Sequence, residues 1–235
     1  TEGSVSLGDP GVIGKSLSLS SSGNLAVSGY PGISSDQPRT VSLWMKSVDN
    51  SGHLSGWGDS SNKWAISWNN QGPRVDTGNG GTRQGSGPLV SGQWHHLTIS
   101  YPGSGSDLNQ TRIYWDGSLV DAPASSIDAV VNTANLNDLR IGSSFDGTNR
   151  MSGSIDEYRI SSKSRGSAWA VYEYQNQKTG GSLLTYDLQY LTAPVLPSDL
   201  NLSLVQGIPF SFQIRSLPPA SSYVISSGSL PSGVS

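Results

Sequence analysis

The chain contains no cysteine, only two methionines and three phenylalanines, and only 13% of its 235 residues are charged. Without cysteine there is no disulfide framework, no thiolate metal site and no thiol nucleophile. A domain of this length can bury its own core without cross-links. Glutamate is confined to Glu2, Glu157 and Glu173, so no strand carries two Glu at alternate positions. The net charge of −3 is spread along the chain with no basic cluster, which argues against nucleic acid or an anionic membrane surface as a partner. No apolar run reaches the roughly 20 residues of a membrane-spanning helix, so membrane insertion is not expected.

Glycine (29) and proline (13) are frequent, and serine recurs throughout. This is the composition of an all-β chain of many short strands and turns. Seven Trp and nine Tyr supply large buried surfaces. Low charge with abundant Ser, Thr, Gly and Asn points to an extracellular or cell-surface (secreted) protein. Thr1-Glu2-Gly3 is expected to open a mature or trimmed fragment.

Alternation marks the strands. Ser16–Leu19 and Leu25–Val27 flank a serine-rich turn. In 40–46, Val41, Leu43 and Met45 share one face, and Ser42, Trp44 and Lys46 the other. Trp64, Ile66 and Trp68 fall together in 63–69, and His95, Leu97, Ile99 and Tyr101 in 93–101. Residues 70–92, rich in Gly, Asn and Gln, are expected to be loops or short edge strands. Asp116-Gly117 between Arg112–Trp115 and Ser118–Val120 predicts a two-residue hairpin, since both turn positions need positive φ. The one helix predicted is Ser167–Gln177, capped by Ser164 or Ser167 and ended by Gly180-Gly181. A last strand is expected over Leu183–Tyr190.

In the strand Gly153–Ile160, strict alternation puts Asp156 on one face with Tyr158 and Ile160. A carboxylate there must be satisfied. It either accepts backbone N–H bonds or pairs with an Arg such as Arg140, or it holds Ca²⁺ as the metal-binding residue among loop oxygens. The His95 and His96 side chains point to opposite faces and cannot chelate one ion, and His53 has no metal-spaced partner. All three histidines read as structural. No catalytic residues are expected. Glu157 and Asp156 face apart, no second carboxyl is spaced for glycoside hydrolysis, and no Gly-x-Ser-x-Gly elbow occurs. For ligand binding, Trp57 is the first candidate, as it sits among Gly56, Gly58 and Asp59 in an apparent loop. Trp44, on the polar side of its strand, is a second. The stretch Asn69, Asn70, Gln71, Arg74, Asp76 and Asn79 supplies polar groups beside Trp57.

Four stretches carry a family resemblance: Gly14–Leu19, Val41–Lys46, Gly92–Thr98 with Tyr114–Gly117, and Gly153–Ile160 followed by Trp169 and Tyr174–Gln177. In order and spacing they resemble the laminin-G-like, concanavalin-A-like jelly rolls of bacterial surface and secreted proteins. The resemblance implies a two-sheet antiparallel jelly-roll sandwich with one short helix over residues 1–191. From 192 to 235, Gly207–Ile214 and Ser229–Ser235 are similar to the start of an immunoglobulin-like, cadherin-like repeat that stops before its last strands. One departure stands out: the acidic residues that often follow the family's opening strand are replaced by Ser20–Asn24, so a carboxylate that would help hold calcium is absent.

The resulting functional expectation is a non-catalytic carbohydrate-binding or adhesion module of a larger extracellular protein, with a glycan or cell-surface ligand as partner. Two alternatives stand beside it. One is a structural spacer or protein-interaction module that self-associates through the C-terminal segment. The other is an accessory domain of a secreted polysaccharide-degrading enzyme. The two readings of Asp156 separate in one measurement, since a calcium site raises the melting temperature when Ca²⁺ is added and lowers it with EDTA.

Overall fold

A computed structural model describes residues 3–87, 89–105, 107–121 and 130–181. All described elements fall within the compact unit Thr1–Leu184. The expected strand at 183–190 and the immunoglobulin-like segment at 192–235 lie outside the described residues.

Thirteen strands are described: β1 (Val5–Pro10), β2 (Lys15–Leu19), β3 (Leu25–Ala26), β4 (Arg39–Ser47), β5 (Gly52–Gly58), β6 (Asn62–Asn69), β7 (Gly72–Gly78), β8 (Thr82–Gln84), β9 (His95–Tyr101), β10 (Arg112–Trp115), β11 (Ser118–Leu119), β12 (Asn137–Ile141) and β13 (Gly153–Ser161). One helix follows, α1 (Ser167–Gln177). The strands form a seven-stranded sheet, β1-β2-β13-β4-β9-β10-β11, and a six-stranded sheet, β3-β12-β5-β6-β7-β8. The named pairings are antiparallel. The fold is a jelly-roll sandwich.

The core lies between the inner faces. Val41, Leu43 and Met45 of β4 and Leu97, Ile99 and Tyr101 of β9 meet Trp64, Ile66 and Trp68 of β6 and Val75 of β7. Arg39 is also fully buried. Its guanidinium carbon lies 4.9 Å from the Trp64 ring centroid, and it donates to the Ser35 carbonyl at 2.7 Å and to Thr133 Oγ1 at 2.7 Å. The Asp116-Gly117 turn has φ of 50° and 79°, as the hairpin requires.

Three expectations need correction. Residues 72–78 form a full strand, because Val75 and Thr77 supply an inward face that the glycines around them conceal in the sequence. Helix α1 spans the expected residues, but its N-cap is Gly166, with no side-chain cap hydrogen bond. Strict alternation fails in β13. Ile155 pairs with Met45 and Ile160 with Val41, so five steps on β13 oppose four on β4. The extra residue is a β-bulge, and Glu157 takes φ 51° there. Asp156 therefore faces outward beside Trp44, while Tyr158 and Ile160 turn inward.

Asp156 is held by backbone donors. The Ile13 N–H gives Oδ2 a bond of 2.9 Å, and the Glu157 N–H gives Oδ1 one of 2.8 Å. Gly11 lies so close that a Cβ there would sit 2.4 Å from Oδ2. The carboxylate thus ties the β1–β2 turn to β13. The described residues contain no group of three or more His, Cys, Asp or Glu that could hold a metal ion. Arg140 donates elsewhere, to Asn24 Oδ1 at 2.9 Å.

Helix α1 packs on the outer face of the seven-stranded sheet. Ser42 donates to Glu173 Oε1 at 3.0 Å, and Trp44 Nε1–H donates to Gln177 Oε1 at 2.6 Å. His96 lies beneath, 5.0 Å from the Trp44 ring and 6.0 Å from the Tyr174 ring. Burial pushes the His96 pKa down to about 4, with Asp116 opposing that shift and Arg159 reinforcing it. Its Nε2 stands 3.9 Å from Glu173 Oε2, too far for that contact to outweigh desolvation.

Unfolded histidine titrates near about 6.5. Between that value and the folded one, the unfolded chain binds a proton that the native state refuses, so stability is lost as pH falls through this window. The full shift corresponds to roughly 3 kcal/mol. Urea unfolding at pH 7, 5.5 and 4 should show a His96→Gln variant losing less stability on acidification than the parent chain, by an amount of that order.

Candidate ligand cleft

The outer face of the six-stranded sheet is built by register. Trp64, Ile66 and Trp68 take the inner side of β6, which leaves Ser67 and Asn69 facing out. Ser67 pairs with His53 on β5 and with Arg74 on β7, and Arg74 pairs in turn with Gln84 on β8. One polar row, His53–Ser67–Arg74–Gln84, therefore crosses four strands.

A loop walls this row on one side. Residues 143–150 cross Gly56 so closely that a Cβ there would lie 2.5 Å from the Phe145 nitrogen. Asp146 shapes the loop by accepting from the Thr148 N–H at 3.0 Å and hydroxyl at 2.6 Å. Burial alone would raise the Asp146 pKa, but these hydrogen bonds outweigh it and hold the carboxyl below its usual value. Arg150 is fixed by bonds to the Gly147 carbonyl at 2.7 Å and the Ser22 carbonyl at 2.6 Å. The His53 N–H donates to the Asn149 carbonyl at 2.9 Å, locking the loop to the start of β5.

Between loop and sheet lies an open cleft of about 370 Å³, with His53, Ser67, Asn69 and Arg74 on the sheet side and Asn149 and Arg150 on the loop side. None of its lining residues is a carboxylate. Arg74, half-buried, makes no hydrogen bond or ion pair with any described residue. Burial lowers the His53 pKa, and Lys63 adds to this, which favours the neutral ring. A guanidinium, amides, a hydroxyl and an imidazole thus converge where hydroxyl and ring oxygens could be bound.

The sequence candidates divide. Asn69 and Arg74 meet in this cleft. Asn70 borders a smaller adjoining hollow of about 110 Å³, which also has Asn69 on its wall. Trp57 belongs to strand β5, not to a loop. It is 0% exposed, donates from Nε1 to the Ile33 carbonyl at 2.9 Å, and packs 6.4 Å from Trp64. No ring face is left for a ligand. Asp59, at the far end of the β5–β6 hairpin, accepts from the N–H groups of Ser61 at 2.8 Å and Asn62 at 2.7 Å and so shapes that turn. Trp44 does face outward, but α1 covers it. Of the polar stretch, Asp76 pairs with Lys63 at 3.2 Å, Asn79 contacts Asn62, and the Gln71 N–H is taken by Asn69. His53, Ser67, Asn149 and Arg150 had no local sequence signal, because strand register and loop closure bring them together. His95 and His96 do face apart, with His95 bonded to Asp116 at 2.8 Å and His96 beneath the helix.

Two sheets of six and seven strands, with an open cleft on one outer face, define a lectin-type sandwich. Residues 19–169 match the laminin G model described as the concanavalin A-like lectin/glucanases superfamily, and the chain belongs to that family. No curated protein matches its sequence. Among solved structures, it is similar to domain 4 of AbnA, a GH43 extracellular arabinanase from Geobacillus stearothermophilus, in complex with arabinotriose. There the TM-score is 0.56 at 23% identity, over 75% of this chain and 82% of that one. It is also similar to the botulinum neurotoxin serotype G binding domain, with TM-scores of 0.51 and 0.53 in two structures at 15% and 14% identity. The match spans 75% of this chain and 45% of the toxin chains. At these identities the likeness is one of fold.

Since Trp57 is enclosed on all sides, Trp57→Ala should cost about 3–5 kcal/mol of stability. Chemical denaturation checks this. A Trp57→Ala chain that unfolds at the parent midpoint would contradict the packing described.

Proposed function

We propose that this domain is a non-catalytic carbohydrate-binding module that takes a glycan in the cleft on the six-stranded sheet, as part of a larger extracellular protein. The observation that carries the reading is Arg74, whose guanidinium has no partner among the described residues in a polar cleft where Asn69 and Arg150 are held by hydrogen bonds. A charged donor in such a position binds an acceptor oxygen at little cost in reorganisation. The arabinotriose bound to AbnA domain 4 supports a sugar as the ligand class, and the extracellular setting of that enzyme supports the same setting here. Such a module would serve adhesion, or would direct an attached enzyme to its polysaccharide.

The same cleft argues against hydrolysis. Glycosidic cleavage requires two carboxyl groups flanking the bond, and the lining offers none. On this reading the module holds its ligand without cleaving it.

Isothermal titration with arabinotriose, backed by a glycan array, tests the reading. Arg74→Ala should weaken the sugar that binds by roughly ten- to hundredfold, the worth of one charge-assisted hydrogen bond, with an unchanged melting temperature. A parent chain that binds nothing on the array would overturn the proposal, as would an Arg74→Ala chain with full affinity.

A further inference from the structure

The seven-stranded sheet carries a second depression on its own outer face. It measures about 520 Å³ and runs between β13 and α1, with Ser42 at its base, Arg159 and Ile160 along the strand, and Arg165, Trp169 and Glu173 on the helix side. It shares no residue with the cleft on the other sheet.

Its aromatic content is unusual for this chain. Trp44, Trp57, Trp64, Trp68 and Trp115 are buried and Trp94 is partly covered, with Lys46 4.9 Å from its ring centroid, whereas Trp169 is 43% exposed. Tyr172, three residues on, is 59% exposed. Tyr172 lies one turn along the same helix, and of the two rings Trp169 lines the groove. Leaving so much ring surface in water is unfavourable unless something covers it.

The polar groups beside Trp169 are fixed. The Arg165 N–H is bonded to Thr40 Oγ1 and Ser100 Oγ, both at 2.9 Å, which pins its loop to the sheet. The Arg165 guanidinium carbon sits 4.3 Å from the Trp169 ring centroid. Arg165 has no ion pair with any described residue, and its Nε is buried without an acceptor. Arg159 differs, being neutralised by Glu157 and by Glu173, the latter at 2.9 Å. Buried Glu173 keeps one oxygen, Oε2, without a hydrogen-bond donor. The groove thus combines an aromatic ring with a guanidinium stacked on one of its faces, itself without an ion pair among the described residues, and a carboxylate with spare acceptor capacity.

We propose that this groove is a second saccharide-binding site. A sugar ring of a polysaccharide packs its C–H face on the Trp169 surface that Arg165 leaves exposed, and Arg165 donates from the edge of its stacked guanidinium to the sugar's oxygens. Because the two sites lie on opposite outer faces of the sandwich, one domain holds two polysaccharide chains, or two distant stretches of one chain, at once. The groove does not depend on the first cleft being filled.

Affinity electrophoresis through gels containing arabinan or polygalacturonate separates the two sites. In a polymer that retards the parent chain, Trp169→Ala should weaken retardation about three- to tenfold, the worth of one aromatic contact. Trp169→Phe should restore most of it, and the Arg74→Ala/Trp169→Ala pair should abolish it. The half-exposed ring makes an unchanged melting temperature the expected folding control. If Trp169→Ala migrates like the parent, or Arg74→Ala alone abolishes retardation, the second site is overturned while the first stands. If Trp169→Ala abolishes retardation and Arg74→Ala does nothing, the groove stands and the first cleft fails. If neither polymer retards the parent chain, the second site is overturned, while the first is decided by the glycan array.

Discussion

The inner faces of the two sheets have to be filled, and this chain fills them with tryptophan. It has few Phe and Met to share the work, so Trp57, Trp64 and Trp68 become the bulk of the interior. That demand decides where binding can happen. A residue type that lectin-like surfaces use as sugar platforms is spent on stability, and the outer face of the six-stranded sheet is left with small and polar side chains. On the proposed reading, recognition in the cleft would rest on His53, Ser67, Asn69 and Arg74 and on directed hydrogen bonds. Trp169 on α1 is the Trp left most open to water.

The two faces of the sandwich are closed differently. On the six-stranded sheet, the loop 143–150 rises over Gly56, is tied down by its own turn bonds, and leaves the polar row beside it open. On the seven-stranded sheet, α1 seals Trp44 and His96 with hydrogen bonds from Ser42 and Trp44. The burial that depresses the His96 pKa is a result of that sealing. A helix with little apolar stripe can dock this way because side-chain hydrogen bonds, not only buried area, hold it to the sheet.

The fold was largely readable from the sequence. Alternation located β4, β6 and β9, Asp116-Gly117 located the hairpin, and helical spacing located α1 to the residue. The site was only partly readable. Asn69 and Arg74, which line the cleft, stood out in the sequence as part of a polar run rich in amides. Trp57 misled because its glycine neighbours look like loop residues. Gly56 is glycine because Phe145 crosses it, and Gly32 because it packs on the Trp57 ring. Such reasons are tertiary and leave no local pattern. His53 and Ser67 were invisible for a related reason, since cross-strand pairing alone makes them neighbours.

The β13 bulge has a consequence for how the strand can change over time. One extra residue at Glu157 reverses the in–out phase of everything after it, so the halves of β13 answer to opposite polarity codes. Deleting Glu157 would leave Asp156 and Arg159 outward and Tyr158 and Ile160 inward under plain alternation, so the bulge is how the strand absorbs one added residue without turning its faces over. Keeping that residue and flattening the bulge would instead send Arg159 into the interior and drag Tyr158 and Ile160 into water. The segment can therefore lose that residue more easily than it can straighten with it.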